Sequence, residues 1–311
     1  MKISLIVPCY NEAETVALFQ SAVIEAFQDY NCQYEIIFID DGSSDATLHN
    51  LKRLHNENNC PTKIISFSRN FGKDAGIYAG LQHATGDYIS VIDADLQQQP
   101  SVVLEMVDFL ENNKEFDIVA AYQDHRKESK GISFIKKAFY SIINKLSDIT
   151  MRPDASDFRT FRKSVAQSIL AVKEYHRFSK GIFAWVGYRT HYMPYTVSKR
   201  IAGKTKWNFR KLFNYGIDGV VGYSIKPLRI ATFLGGITSF AAIIYLIMVV
   251  LEKLITGIDI PGYATVIVLI LFLGSMQLFC IGIIGEYVGR TFEQAKDRPI
   301  YIAKEIITDK D

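Results

Sequence analysis

Cysteine is scarce in this chain: Cys9, Cys32, Cys60 and Cys280 are scattered, with no CxxC pair among them. That spacing argues against a disulfide framework or a zinc site and suits a reducing compartment. An excess of one charge is missing too. The 35 Lys and Arg against 33 Asp and Glu leave a net charge of +2, so the basic stripe of a nucleic-acid binder is not expected. The first apolar run, Ile3 to Val7, stops at Pro8 and is too short for a signal peptide. No GxGxxG follows it, which disfavours a Rossmann dinucleotide site.

Long apolar runs are absent from residues 1 to about 225 and then come twice, at Ala231 to Leu251 and Ala264 to Ile284. Each run of 21 residues carries no charge, enough to cross a bilayer as a helix. Buried core helices are the competing explanation, and two uncharged runs of this length disfavour it. The loop between them, Glu252 to Tyr263, holds one cation, Lys253. Arg210, Lys211, Lys226 and Arg229 precede the pair, and Arg290, Lys296, Arg298 and Lys304 follow it. By the positive-inside rule both ends and the large N-terminal domain lie in the cytoplasm.

Within that domain apolar stretches alternate with helical ones. Strands are expected at Ile3–Val7, Glu35–Ile39, Lys63–Ser68, Tyr88–Ile92 and Asp117–Ala121. Helices are expected near Glu14–Tyr30, Thr47–Glu57, Asp74–His83 and Pro100–Asn112. This alternation predicts an α/β domain with a mostly parallel sheet. Polar residues cluster just after the strands: Asn11 and Glu12, then Asp40 and Asp41, then Arg69 and Lys73, then Asp93 and Asp95. In a doubly wound sheet those ends face one crevice, where ligands bind. Asp93-Ala94-Asp95 places two hard oxygen donors there. Mg²⁺ is commonly held by one or two carboxylates plus phosphate oxygens, so a divalent cation carrying a diphosphate is the expected tenant. An ordinary Asp-rich turn is the bland alternative.

Pro8-Cys9-Tyr10-Asn11-Glu12, Asp40-Asp41-Gly42-Ser43 and Asp93-Ala94-Asp95-Leu96-Gln97 together resemble the motifs of the family 2 glycosyltransferases of the GT-A fold. Ser68-Arg69-Asn70-Phe71-Gly72-Lys73 narrows the resemblance to the polyprenyl-phosphate branch. The two trailing apolar runs, with Gly285-Glu286-Tyr287-Val288-Gly289-Arg290 after the second, are similar to the bactoprenol glucosyltransferases within it. The resemblance covers nearly the whole chain, and the order and spacing of the motifs carry more than any one of them.

It implies an inverting transfer of a hexose to undecaprenyl phosphate, with glucose from UDP-glucose as the leading donor. GDP-mannose, UDP-galactose and UDP-GlcNAc are alternatives. A nucleotide-sugar-binding membrane subunit without turnover is the rival from another class. Pro8, Tyr10, Asn11, Glu12, Asp40, Asp41, Arg69, Lys73, Asp93 and Ala94 would surround the donor. Asp93, Asp95 and Gln97 would form the Mg²⁺ or Mn²⁺ site, Gln97 through a carbonyl on the metal or a hydrogen bond. The metal would neutralise charge on the departing diphosphate, which makes Asp95 catalytic.

Asp157, in Asp157-Phe158-Arg159, matches an acid that the family places near the transfer site as base or positioning group; a helix N-cap is its bland alternative. Lys199-Arg200-Ile201-Ala202-Gly203-Lys204-Thr205-Lys206-Trp207 resembles the family's basic loop, with Thr205 where Ser is more usual. Arg200, counted as catalytic, Lys206 and Arg159 would bind phosphate, on the donor or on the lipid. The alternative for the loop is contact with anionic headgroups. His176 reads as structural. A processive synthase of the same superfamily would carry Gln-x-x-Arg-Trp, and neither Trp185 nor Trp207 follows Arg.

Two basic amphipathic stretches, about 132–147 and 208–222, predict helices lying in the membrane interface; ordinary surface helices packing inward are the bland alternative. The expected organisation is therefore a cytoplasmic GT-A domain over 1–225 that includes them, helices at 231–251 and 264–284, and a cytoplasmic tail over 285–311. Gly235-Gly236 and Gly274-Ser275 offer packing surfaces for a homo-oligomer.

Overall fold

A computed structural model describes residues 1–123, 141, 144–147, 149, 152, 155–196, 219–256 and 262–308. The basic loop with Arg200 and Lys206, and most of both amphipathic stretches, lie outside the described residues.

The described strands are β1 (Lys2–Cys9), β2 (Gln33–Asp40), β3 (Thr62–Phe67), β4 (Tyr88–Val91), β5 (Ile118–Gln123), β6 (Ala155–Arg162), β7 (Thr190–Tyr195) and β8 (Ala303–Thr308). The helices are α1 (Val16–Phe27), α2 (Thr47–Glu57), α3 (Lys73–His83), α4 (Pro100–Asn112), α5 (Lys163–Ala171), α6 (Ser179–Trp185), α7 (Lys226–Thr256) and α8 (Tyr263–Ala295). The strands form one sheet in the order β7-β5-β6-β4-β1-β2-β3-β8.

Its centre is the parallel set β3-β2-β1-β4. Ile3, Leu5, Ile6, Val7, Ile36, Ile37 and Ile39 are fully buried, as unbroken β-branched runs are when helices cover both faces. One face packs the apolar stripes of α1, α2 and α4. The other packs α3, α5 and α6. Strand order reverses at β1, which has β2 on one side and β4 on the other. The chain therefore leaves β1 and β4 in diverging directions and opens a crevice at their carboxyl ends.

Two strands depart from the parallel reading. β5 does not follow β4 in the sheet; β6 intervenes, antiparallel to both. β8 comes from the segment expected to be a tail and pairs antiparallel with β3, Ile64 opposite Ile307 and Ser66 opposite Glu305. Its alternating exposure suits an edge strand. Lys52 meets Glu305 at 2.5 Å, and Tyr301 stacks on Phe67 at 4.8 Å between ring centres. Both ends of the chain are thus strands of one sheet.

Between them, α7 and α8 contact each other and carry exposed apolar side chains, Phe233 and Leu254 among them. Both helices are long and apolar enough to cross a membrane, over Lys226–Glu252 and Thr265–Ala295, and they contain the two runs seen in the sequence. Exposed apolar surface on this scale is what lipid contact requires.

Candidate active site

The turn after β4 carries the acid pair. Leu96 takes a left-handed conformation, φ +58°, and the Asp95 carboxylate accepts the Gln97 N–H at 3.1 Å, an Asx turn that folds the segment back. Gln98 is buried behind it. Its Oε1 accepts the Asp93 N–H at 2.9 Å, and its Nε2 donates to Asp93 Oδ2 at 3.2 Å and to Ser156 Oγ at 3.4 Å. The glutamine whose side chain holds Asp93 is therefore Gln98. Gln97 contributes its backbone to the turn.

Antiparallel β6 brings Asp157 to the same place. Val91 pairs with Arg159, so Asp93, two residues after Val91, and Asp157, two residues before Arg159, lie beyond the same end of that pairing. Asp157 lies within β6, so the helix N-cap alternative does not apply. Lys73, the first residue of α3, reaches between the acids: its Nζ lies 2.5 Å from Asp93 Oδ1 and 3.3 Å from Asp157 Oδ2. Burial opposes the charge on Lys73, but the two carboxylates outweigh it and raise its pKa. Burial likewise opposes charge on Asp157; Lys73, Lys180 and Arg159 prevail and hold its carboxyl well below the usual range.

Arg159 is buried, its guanidinium over the Phe183 ring at 4.1 Å and donating to the Ser156 carbonyl at 3.0 Å. Lys180, on α6, is pushed down by burial and by Arg159 and Lys73, while Asp157 pulls it up. The α6 start is fixed to α3 by the Ser179 N–H donating to Asp74 Oδ1 at 2.9 Å.

The acids after β2 are occupied within the fold. Asp40 accepts from the Ser43 N–H at 3.1 Å and the Ser66 hydroxyl at 2.9 Å. Asp41 accepts the N–H groups of Phe71 at 2.6 Å and Gly72 at 3.0 Å, which fixes the approach to Lys73. Gly42 has φ +64°, and a Cβ there would stand 2.4 Å from the Arg69 carbonyl carbon. Only glycine lets these two loops touch. Asn11, also left-handed, donates its N–H to Ser43 Oγ at 3.0 Å and accepts the Ser44 N–H at 2.9 Å. The Glu12 N–H meets Thr47 Oγ1 at 2.8 Å. The loop from Pro8 is thereby stitched to that of Asp40, leaving Tyr10 exposed.

Exposed Arg69 lies over the Phe71 ring at 3.9 Å and lines a cavity of about 220 Å³ with Asp74, Tyr175, His176 and Arg177. Arg177 stacks over Tyr78 at 4.4 Å and donates to the Val172 carbonyl at 2.6 Å; its Nε is buried without a partner.

The structure thus brings together Asp93, Asp95, Lys73 and Asp157, with the loops of Asn11, Asp40 and Arg69 alongside. Gln98, Ser156 and Lys180 join them without having been singled out in the sequence. Among the described residues no three His, Cys, Asp or Glu side chains converge as a protein-only metal cage. Asp93 and Asp95 fit a cation that takes its other ligands from a diphosphate, and the ammonium against Asp93 shows that this carboxylate accepts a positive partner.

A crevice at the reversal of a mostly parallel sheet, edged by paired acids and lysine, defines an α/β group-transfer enzyme of the GT-A type. Residues 4–170 match the family model described as Glycosyl transferase family 2, and residues 226–291 match the GtrB C-terminal hairpin. The chain belongs to glycosyl transferase family 2. It is 38% identical over 307 residues to a prophage bactoprenol glucosyl transferase homolog of Escherichia coli K12, covering 98% of this chain and 99% of the relative. To the bactoprenol glucosyl transferase of Shigella phage SfII it is 35% identical, with 98% of each chain covered. To the putative glycosyltransferase CsbB of Bacillus subtilis it is 40% identical, over 97% and 91%. Among solved structures, glucosyl-3-phosphoglycerate synthase of Mycobacterium tuberculosis, in complex with Mn²⁺, UDP-glucose and phosphoglyceric acid, aligns with TM-score 0.48 and 16% identity over 71% of this chain and 77% of that one.

Proposed function

We propose that the protein transfers glucose from UDP-glucose to undecaprenyl phosphate at the cytoplasmic face of a membrane. The observation that carries this reading is the near full-length similarity to bactoprenol glucosyl transferases, in a chain that keeps the acid pair Asp93 and Asp95 beside Lys73. The topology supports it. The hairpin leaves the catalytic domain at α7 and returns into the same sheet through β8, so two crossings bring the chain back to the crevice's side. The Tyr287 hydroxyl donates to the Ser224 carbonyl at 2.6 Å, joining the base of α8 to the segment before α7.

The lipid phosphate oxygen attacks the anomeric carbon as the bond to the diphosphate breaks. UDP leaves with the bonding electrons and the configuration inverts. Asp93 and Asp95 would hold Mg²⁺ or Mn²⁺, which supplies Lewis-acid neutralisation of the leaving diphosphate. The Asp40 and Asn11 loops seat the nucleotide, and Arg69 borders it. Lys73 bridges the donor acid Asp93 to Asp157. Arg200 and Lys206 belong to the phosphate-binding set of the basic loop. The acceptor phosphate is largely ionised at neutral pH, so Asp157 has little proton to remove and acts chiefly by position. Both termini face the cytoplasm, and the protein assembles as a homo-oligomer.

The test is a transfer assay in membranes with labelled UDP-glucose, UDP-galactose, UDP-GlcNAc and GDP-mannose, undecaprenyl phosphate, and EDTA with metal add-back. Label should enter the lipid from UDP-glucose and stop with EDTA. Transfer from another donor alone would overturn the glucose assignment, and no transfer at all would favour a binding subunit.

A further inference from the structure

The cavity of about 220 Å³ borders both the acid site and the apolar hairpin. Gly72 and Asp74 in its wall flank Lys73, whose ammonium reaches Asp93 and Asp157. Tyr175, in the same wall, donates its N–H to Gln294 Oε1 at 2.8 Å, near the end of α8. The volume is several times the roughly 30 Å³ that a water occupies, which gives room for a phosphate group.

Two arginines line the cavity, each laid on a ring. Arg69 rests on Phe71 at 3.9 Å and donates to the Asn70 carbonyl at 2.9 Å. Arg177 rests on Tyr78 at 4.4 Å and donates to the carbonyls of Val172 at 2.6 Å and Ile169 at 3.5 Å. Stacking fixes the plane of a guanidinium, and these bonds leave N–H groups on both for a ligand. Among the described residues, the buried side-chain donor without a partner is Arg177 Nε, and an unpaired buried donor costs stability. Burial also works against the Arg177 charge; Tyr78, Asp74 and Glu174 favour it, and the balance lowers its pKa. An anion against this guanidinium offsets both costs. Phosphate oxygens match the guanidinium fork, and both substrates of the proposed reaction carry phosphate.

Asp74 acts in the opposite sense. It is the acid of the cavity wall; burial raises its pKa, and its Oδ1 accepts the Ser179 N–H at 2.9 Å. A negative charge there repels a phosphate, so Arg177 and Asp74 give a test two opposite signs.

We propose that this cavity is a phosphate-binding pocket beside the acid site, with Arg177 as its principal cation and Arg69 as the wall it shares with the donor site. The inference rests on the proposed function for the source of the phosphate, and it assigns a ligand to the loop 175–177, outside the acid motif and the basic loop.

The experiment uses the full-length protein in detergent, with Arg177→Gln, Arg177→Lys, Asp74→Asn and, as a charge control on α2, exposed Arg53→Gln. Binding of inorganic phosphate, of a short-chain polyprenyl phosphate and of Mg-UDP is measured separately without turnover, alongside the melting temperature. Arg177→Gln should weaken inorganic phosphate about tenfold, the size of a lost charge-assisted contact, and Arg177→Lys should keep part of it. Asp74→Asn removes the charge but keeps the acceptor for Ser179, and should tighten phosphate by about threefold. Arg53→Gln should change nothing. A matching loss on the polyprenyl-phosphate arm identifies the lipid as the source of the phosphate; a loss confined to inorganic phosphate identifies a free phosphate. A loss confined to Mg-UDP would return Arg177 to the donor site and overturn the proposal. So would a wild type that binds neither inorganic nor polyprenyl phosphate, or an Arg177→Gln protein with a changed melting temperature but wild-type binding on those two arms. Arg177→Gln and Asp74→Asn shifting phosphate binding in the same direction would mean that both act only through the fold of the loop, and would also overturn it. Should Arg177→Gln not fold, Asp74→Asn decides: tighter phosphate supports the pocket and unchanged phosphate removes it. Wild type that binds phosphate but transfers no sugar sinks the proposed function and leaves the pocket. Active wild type with Arg177 and Asp74 both indifferent sinks this inference alone.

Discussion

The Asp93 carboxylate holds the Lys73 ammonium at 2.5 Å, and that contact sets a cation against a side chain proposed to bind another cation. Lys73→Gln removes the competitor. The variant should bind Mn²⁺ alone more tightly than wild type, because Asp93 then meets the metal without displacing an ammonium. It should bind Mn-UDP more weakly and lose about tenfold or more in kcat/KM, since a charge near the diphosphate is gone. Titration of Mn²⁺ by electron paramagnetic resonance, with and without UDP, reads both signs. Equal loss for Mn²⁺ and Mn-UDP would mean that Lys73 only supports the fold of the turn.

The two neighbouring glutamines can be told apart by the same logic. Gln98→Ala leaves the half-buried Asp93 N–H without its 2.9 Å partner and lets the carboxylate turn, so it should cost about 1–2 kcal/mol in stability and raise the donor KM. Gln97→Ala keeps the Asx turn, whose bond uses the Gln97 backbone, and should change the melting temperature little. If Gln97→Ala is the more damaging to metal dependence, its side-chain carbonyl is a ligand after all.

Far from the crevice, at the amino ends of the strands, buried Glu35 sets an acid limit on stability. Burial opposes its ionisation, yet the hydroxyls of Ser4 and Thr85, the Thr85 N–H and Lys63 lower its pKa to about 2. Lys63 lies at 3.0 Å and Lys2 at 3.4 Å. A depressed carboxyl contributes stability that is present above its unfolded pKa of about 4.3 and is lost as pH falls toward about 2. Glu35→Gln should therefore lower stability at pH 7 by about 2–3 kcal/mol and flatten the decline between about pH 4.5 and 2. Thermal melts of both proteins at a series of pH values measure the difference; parallel curves would remove Glu35 from the account.

How much of this could be read beforehand depended on the range of the forces involved. The parallel core was legible because Ile3–Val7 and Glu35–Ile39 are unbroken apolar runs, and a strand covered on both faces needs no partner to be recognised. The acids after them were legible for the same reason. β6 was not: Asp157, Arg159 and Arg162 interrupt it, and it is a strand because β4 and β5 supply its ladder. β8 is six residues long and was hidden behind the apolar helix that precedes it. Gln98 escaped because the left-handed Leu96 turns the chain, so that its side chain, rather than that of Gln97, comes to hold Asp93. Lys180 belongs to no motif; it became visible only when α6 was seen tied to α3 through Ser179 and Asp74.

Gln294 links the apolar hairpin to this same region. Its Oε1 accepts the Tyr175 N–H at 2.8 Å and its Nε2 donates to the Lys173 carbonyl at 3.0 Å. One side chain near the end of α8 thus clasps the loop that carries His176 and Arg177 and leads into α6. The contacts are solvent-accessible, so Gln294→Ala should cost only about 1 kcal/mol in global stability. Its local effect should be larger. A clasped loop opens as a unit, and losing both bonds should raise amide exchange across 173–178 while leaving β1 and β2 unchanged. Because Ser179 and Lys180 follow directly, the donor or acceptor KM should rise severalfold with kcat nearly preserved. Hydrogen exchange read by mass spectrometry, together with the KM values, decides it. Unchanged exchange in 173–178 would mean that the loop is held by Arg177 on the Val172 carbonyl and on Tyr78, and that α8 anchors the enzyme without shaping its site.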